Sequence, residues 1–390
     1  MNSRPTSGDS PSSSPSSSSS SPPHPLAGYG WDARTADTFA PYAAQGLVPA
    51  RVVRVDRGRC EAVTAEGPVR ADTAPVATDD PTRVLCTGDW AALSLAGPRG
   101  VPEVRAVLPR RTAFLRSASS KRSEGQVLAA NVDHVLVAVP LNLELDLGRV
   151  ERFISLAWTS GAQPLVVLTK TDLVPDPDTV RQLVADTELS APGVQVLPVS
   201  AATGEGLDVL AASVAGGTSV LIGQSGAGKS TLANALLGAE VQEVQAIRDS
   251  DGKGRHTTTT RDLLPLPAAG EQGGAAGVLI DTPGLRGVGL WEAEEGVGLA
   301  FAEIAALAER CRFHDCEHEA EPDCAVLAAV EDGTLPERRL DSYRKLLREN
   351  ARLAARTDAR LRAEQKRTFK QRQALGRHMM ERKRQPRYGG

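Results

Sequence analysis

Gly223-Gln224-Ser225-Gly226-Ala227-Gly228-Lys229-Ser230-Thr231 follows the apolar run Ser219–Ile222 and opens a stretch rich in Ala and Leu. The spacing is that of the phosphate loop G-x-x-x-x-G-K-[ST], in the strand-loop-helix setting that gives the motif its meaning. Glycines let successive backbone N–H groups turn inward around phosphate oxygens. The helix N-terminus adds favourable partial charge. In such a loop Lys229 reaches the β- and γ-phosphates, and the Ser230 hydroxyl ligates Mg²⁺. A Gly-rich turn with an incidental lysine would not explain the strand before it and the helix after it.

Working outward, His134–Val139, Pro164–Leu168, Gln195–Val199 and Val278–Ile280 are further short apolar runs with helix-compatible stretches between several of them. Buried strands alternating with helices predict a mostly parallel α/β sheet, whose chemistry sits in the loops that follow the strands. Thr169-Lys170-Thr171-Asp172 ends one strand and looks like the guanine-specificity motif N/T-K-x-D. A carboxylate there can accept two hydrogen bonds from guanine N1–H and its 2-amino group, a donor pair that adenine lacks. Ser200-Ala201, after the next strand, resembles the short backbone motif that contacts the guanine carbonyl. A P-loop kinase or ATPase would explain the phosphate loop alone.

Asp281-Thr282-Pro283-Gly284 resembles D-x-x-G, in which Asp281 would hold Mg²⁺ through water and the Gly284 N–H would sense the γ-phosphate. His256 and Thr257 to Thr260 suit switch I, with Thr258 as the Mg²⁺ ligand. Leu285 stands where many GTPases carry a water-orienting glutamine, and His256 is the in-chain group that could take that task. The order is base motif, Ser-Ala, phosphate loop, switch I, D-x-x-G. An ordinary GTPase begins with the phosphate loop, so this order is a circular permutation, which a compact sheet tolerates when its old termini lie close together. Expected ligands are GTP or GDP and Mg²⁺.

The 390 residues exceed one ordinary core. Residues 1–30 open with Ser/Pro low-complexity sequence that has little to bury, and disorder is expected. Over 46–110, the segments Ala50–Val55, Cys60–Thr64, Val84–Cys86, Trp90–Leu95 and Val101–Val107 alternate and are separated by turn residues. Short strands at this spacing predict a small all-β barrel. An OB-fold matches its size, and a generic small barrel fits equally. Cys60 and Cys86 read as core thiols. A basic, Ser-rich connector follows at Arg110–Arg122. The permuted domain is expected over 125–302. No apolar run approaches the roughly 20 residues of a membrane span, and no apolar core marks a signal peptide. The expected location is the cytoplasm.

Cys311-x₄-Cys316-x-His318-x₅-Cys324 supplies three thiolates and one imidazole, a full tetrahedral set for one structural Zn²⁺ over 303–335. His314 lies inside the loop and is not needed. The formal net charge of −3 hides an asymmetry: from Arg338 onward basic residues outnumber acidic ones by 13. The segment 336–390 therefore reads as a basic helical extension suited to phosphate backbones.

Together these features resemble the ribosome small-subunit-dependent GTPase A family (RsgA, also called YjeQ). The resemblance runs from about residue 30 onward. It includes Val107–Thr112, Gln126–Asp133, the permuted motifs, and the Cys311/Cys316/His318/Cys324 cluster with Glu321-Pro322 between ligands. It implies an N-terminal OB-fold, a permuted P-loop GTPase domain and a C-terminal zinc domain. It further implies GTP hydrolysis stimulated by the small ribosomal subunit, a late step in that subunit's maturation, and contact with its rRNA. Neither membrane nor DNA is expected as a partner, and the expected state is a monomer. Thr169 stands where Asn is commoner in the family. A nucleic-acid-binding module that merely holds nucleotide would explain barrel, zinc site and basic tail without turnover.

Overall fold

The computed structural model describes residues 24–97, 100–116, 126–239, 261–267, 277–281 and 294–357. Residues 24–30, expected to belong to the low-complexity tail, are instead packed. Leu26 is buried with Phe39, Trp90 and Leu108, and His24 stacks on Trp31. Helix α1 (Ala33–Ala43) was not foreseen. Asp32 caps it, accepting from the Thr35 N–H at 2.7 Å.

Strands β1 (Val48–Asp56), β2 (Arg59–Thr64), β3 (Gly67–Asp72), β4 (Trp90–Ser94) and β5 (Glu103–Val107) close into a barrel in the order β1-β2-β3-β5-β4. Five strands closed in this order make an OB-like barrel, around Val52, Cys60, Ala62, Leu93 and Val104. One expected strand is absent. At Val84–Cys86 side chains take two of the backbone groups: Arg110 Nη2 donates to the Val84 carbonyl, and the Cys86 N–H donates to Asp89 Oδ2. β3 takes its place, brought beside β2 by a tight turn with Thr64 opposite Gly67.

A short ribbon, β6 (Ala113–Arg116) against β7 (Gln126–Ala130), leads to a six-stranded sheet. Its strands are β8 (His134–Pro140), β9 (Gln163–Thr169), β10 (Gln195–Val199), β11 (Thr218–Gly223), β12 (Asp262–Pro265) and β13 (Val278–Asp281), in the order β10-β9-β8-β11-β13-β12. All pairs are parallel except β12 with β13. Helices α2 (Leu147–Thr159), α3 (Pro177–Ser190), α4 (Leu207–Ser213) and α5 (Lys229–Leu237) connect or follow the strands. Alternation along β8 splits the core in two. Val135, Val137 and Val139 face the α2 side, and Leu136 faces α4 and α5.

The chain continues through α6 (Glu294–Ala300), α7 (Ala302–Ala308), α8 (Ala325–Glu331) and α9 (Glu337–Thr357). The start of the expected basic extension is not a solvated helix. Leu340 and Leu346 of α9 lie in the same apolar cluster as Ile154 of α2, Phe301 and Cys324. α6 lies so close to α2 that a Cβ on Gly296 would overlap Thr159 Oγ1 and the Ser155 carbonyl, whereas one on Gly298 would meet nothing. Gly296→Ala is therefore expected to destabilise by about 1–3 kcal/mol, as overpacking does. Gly298→Ala should stabilise by up to about 1 kcal/mol through helix propensity. Urea denaturation of both variants checks the contrast, and equal effects would place the helix contact elsewhere.

Candidate nucleotide site and metal centre

The site is built at the C-terminal ends of β8, β9, β10, β11 and β13, where the connections diverge to either side of β8 and β11. β11 ends at Gly223, whose φ of 144° and close approach to the Ala138 carbonyl exclude a side chain. Gly228, at φ 81°, begins α5. Between them the loop curls, and Lys229 Nζ donates to the carbonyls of Gly223 (2.9 Å) and Gln224 (2.7 Å). Ser230 follows in the first turn of α5, while Ser225, Gly226 and Thr231 are exposed.

The base motif lies beside this loop. The Thr169 hydroxyl is buried and donates to the Ala227 carbonyl at 2.8 Å, tying the end of β9 to the phosphate loop. Threonine at this position is thus a strut between two motifs 58 residues apart. Lys170 takes a left-handed φ of 62°, turning the chain so that Thr171–Leu173 forms a single 3₁₀ turn. Ser200, after β10, donates its hydroxyl to Asp172 Oδ1 at 2.7 Å and accepts from the Thr203 N–H. The Asp172 carboxylate is therefore oriented in advance, with a second oxygen for a ligand. Ala201 adjoins it in the same turn. Asp281 closes β13, directly opposite Asp262 at the start of β12. His256, Thr258 and Gly284 lie outside the described residues.

Three contacts around the site carry no local sequence signal. Arg149, in the first turn of α2, hydrogen-bonds the Gln224 side chain of the phosphate loop. Arg51 of β1 is fully buried between barrel and sheet, donating to Thr218 Oγ1 at 2.9 Å with its guanidinium over Trp90. Burial brings its pKa down to about 10, against the pull of Asp133 and Asp89. Arg54 forks onto Asp262.

All four expected zinc ligands converge. The ligand atoms of Cys311, Cys316, His318 and Cys324 lie within 4.8 Å of one another. Cys311 Sγ is 3.8 Å from Cys324 Sγ and 3.6 Å from His318 Nδ1, and His318 Nδ1 is 3.4 Å from Cys324 Sγ. Tetrahedral ligands at bonds of about 2.3 Å would be separated by about 3.8 Å, so the cage fits Zn²⁺ in size and donor type. Burial lowers the His318 pKa, favouring the neutral imidazole that a metal requires. The intervening loop is pinned by Glu321. Its carboxylate accepts its own N–H and those of Glu317, Ala320 and Glu319, which pulls it down to about 2.

A mostly parallel sheet carrying the base motif, the phosphate loop and Asp281 at the ends of its strands, in that chain order, defines a P-loop GTPase of circularly permuted order. The comparisons agree. A profile described as RsgA GTPase matches residues 107–291. The small ribosomal subunit biogenesis GTPase RsgA of Streptomyces coelicolor is 68% identical, covering 92% of this chain and 96% of its own. The crystal structure of YjeQ from Thermotoga maritima superposes with a TM-score of 0.58 at 25% identity, covering 78% of this chain and 98% of that one. YloQ, described as a circularly permuted GTPase, shares the fold with a TM-score of 0.57 at 20% identity, over 78% of this chain and 95% of its own. This chain belongs to the RsgA GTPase family.

Proposed function

We propose that the protein hydrolyses GTP during late maturation of the small ribosomal subunit, that the subunit stimulates hydrolysis, and that the cycle checks or releases assembly factors. The tie from the Thr169 hydroxyl to Ala227 of the phosphate loop, with Asp172 of the same motif held by Ser200, carries the reading. On this reading a guanine-selective carboxylate would lie in the motif tied to the phosphate cradle. Asp172 would accept the two guanine donors, Lys170 would pack along the base, and Ser200-Ala201 would meet its carbonyl. Loop N–H groups from Gln224 to Thr231 and Lys229 would hold the phosphates, with Gly284 at the γ-phosphate. Ser230, Thr258 and Asp281 would hold Mg²⁺, which neutralises charge on the β- and γ-oxygens. His256 would orient water, since Leu285 cannot.

Zn²⁺ in the Cys311/Cys316/His318/Cys324 cage would be structural, because four protein ligands leave no open position. The domains would be the barrel over 46–110, the permuted GTPase unit over 125–302, the zinc region over 303–335 and the basic extension over 336–390. Lys345, Arg348 and Arg352 are exposed on α9 at spacings of three and four residues, a basic face suited to an rRNA backbone. Among the described residues no helix is long and apolar enough to cross a membrane. The protein would act as a cytoplasmic monomer, with no DNA partner.

The test is GTP turnover with and without isolated small ribosomal subunits. Strong stimulation by small but not large subunits is expected. Lys229→Ala should lose about 10²–10³ of the stimulated rate, as for removal of one preorganised charge-stabilising donor. Equal turnover with and without subunits would remove the ribosome from the reading while leaving a guanine-nucleotide hydrolase.

A further inference from the structure

β12 is the edge strand of the GTPase sheet, and the barrel covers it. Arg54, Thr87 and Gly88 are among the barrel positions that make the contact. Arg54 Nε and Nη2 donate to the two oxygens of Asp262, each at 2.5 Å. The Thr87 hydroxyl donates to the Arg261 carbonyl at 2.9 Å. Gly88 lies against the Ala130 carbonyl and the Ile280 side chain, leaving no room for a Cβ. The barrel therefore grips both strands of the β12–β13 hairpin at the end that bears Asp281.

The register makes this grip chemically specific. Asp262 and Asp281 are direct cross-strand partners. Such a pair points to one face of the sheet with Cβ atoms about 5 Å apart, and like charges there repel. Arg54 takes both oxygens of Asp262, so a cation from the barrel balances the charge placed opposite Asp281. The pair is about one-third exposed on each side (35% and 33%). Exposed ion pairs contribute at most about 1 kcal/mol, which is little to expect from a two-pronged contact bridging two domains. Its position suggests another role. Covering the edge strand needs no charge; balancing one carboxylate paired across from another does.

We propose that Arg54 is a positioning residue of the nucleotide site, acting through Asp262 on Asp281 and linking the barrel's seat on the sheet to the nucleotide state. This rests on the reading of Asp281 as the magnesium-side carboxylate of a GTPase. If GTP and GDP place different demands on Asp281, the hairpin responds, and the barrel is the body attached to it. The linkage is reciprocal: whatever the barrel binds must alter preference between the nucleotides by the same factor.

The experiment measures binding of the full-length protein to isolated small ribosomal subunits, with a non-hydrolysable GTP analogue and with GDP. The readout is the ratio of the two affinities. Wild-type protein is expected to bind at least about fivefold tighter with the analogue, the lower end of ordinary coupling. Arg54→Gln and Asp262→Asn should each bring the ratio to within about twofold of unity. The double variant should go no further, because the two groups act as one unit. Melting temperatures should barely move. A single variant that keeps the wild-type ratio overturns the proposal, as do effects that multiply in the double variant. A lowered melting temperature with the ratio intact makes the pair a strut and also overturns it. Wild-type protein that binds no guanine nucleotide removes the underlying reading; wild-type protein that binds nucleotide yet binds subunits equally in both states overturns the linkage alone.

Discussion

Arg339→Ala is expected to cost about 3–5 kcal/mol of stability, the loss typical of breaking a buried ion pair. Arg339 opens α9 with its side chain only 3% exposed, facing a Glu151 side chain that is 1% exposed. Its Nη1 donates to Glu151 Oε1 and to the Ser190 carbonyl, both at 2.9 Å. Nε donates to Glu303 Oε1 at 2.9 Å, and Nη2 donates to the Ala300 carbonyl at 3.0 Å. The guanidinium also lies 4.2 Å from the centre of the Phe301 ring. One side chain thus joins α2, the end of α3, α6, α7 and α9. Arg338 also reaches Glu151, but it is 43% exposed and cannot replace the inner cation. Truncation would leave the Glu151 carboxylate buried with only that outer partner. Against a total stability of about 5–15 kcal/mol, such a loss brings the C-terminal helices close to release. The double variant Arg339→Met/Glu151→Met should lose less than the two single losses combined, because neither charge is then stranded. Urea denaturation at constant slope measures both. Additive losses would mean that water reaches the pair.

The same residue shows where sequence reading stops. Arg338 and Arg339 stand at the head of a strongly basic segment, and composition alone gives a solvated or phosphate-binding helix. Their carboxylate partner lies in α2, nearly 190 residues earlier, and no local pattern announces it. The Arg54–Asp262 contact, 208 residues apart, is equally silent. The phosphate loop, the base motif and the zinc cage were legible for the opposite reason. Each is set by short-range rules: glycines where φ must be positive, a carboxylate just past a strand, thiolates at ligand spacing. The barrel falls between. β1, β2, β4 and β5 alternate clearly, but β3 opens with Gly67-Pro68, which reads as a turn. Val84–Cys86 is apolar enough for a strand, yet its backbone is claimed by Arg110 and Asp89. Thr169 was a departure in the sequence and acquires a reason only in three dimensions, where its hydroxyl meets Ala227.

Removal of zinc should be the most damaging change outside the nucleotide site, and its effect should not stay local. Cys324 is buried in the cluster that contains Phe301, Val326 and Leu340. It also caps α8, accepting from the Leu327 N–H at 3.5 Å. The His318 carbonyl accepts from Arg344 of α9, so the far side of the cage is bonded to the helix that Arg339 docks. Without metal, three thiols and an imidazole would face one another with nothing between them, and the left-handed backbone at His318 and Asp323 (φ 58° and 57°) would lose the contacts that impose it. Zinc sites fold their own surroundings, with apparent binding energies of about 10–16 kcal/mol in isolated fingers. Here part of the core survives, so a smaller loss is expected, but still more than about 4 kcal/mol for Cys324→Ser. Elemental analysis should find one zinc per chain. Chelation should lower the melting temperature and raise hydrogen exchange in α8 and the first turns of α9. His314→Ala should keep its zinc, because His314 is exposed and outside the cage. Cys60→Ser should keep it too, because that thiol belongs to the barrel core. If His314→Ala loses zinc, the ligand set is wrong. If chelation leaves α8 and α9 protected, the cage is an appendage and the buried arginine alone holds these helices.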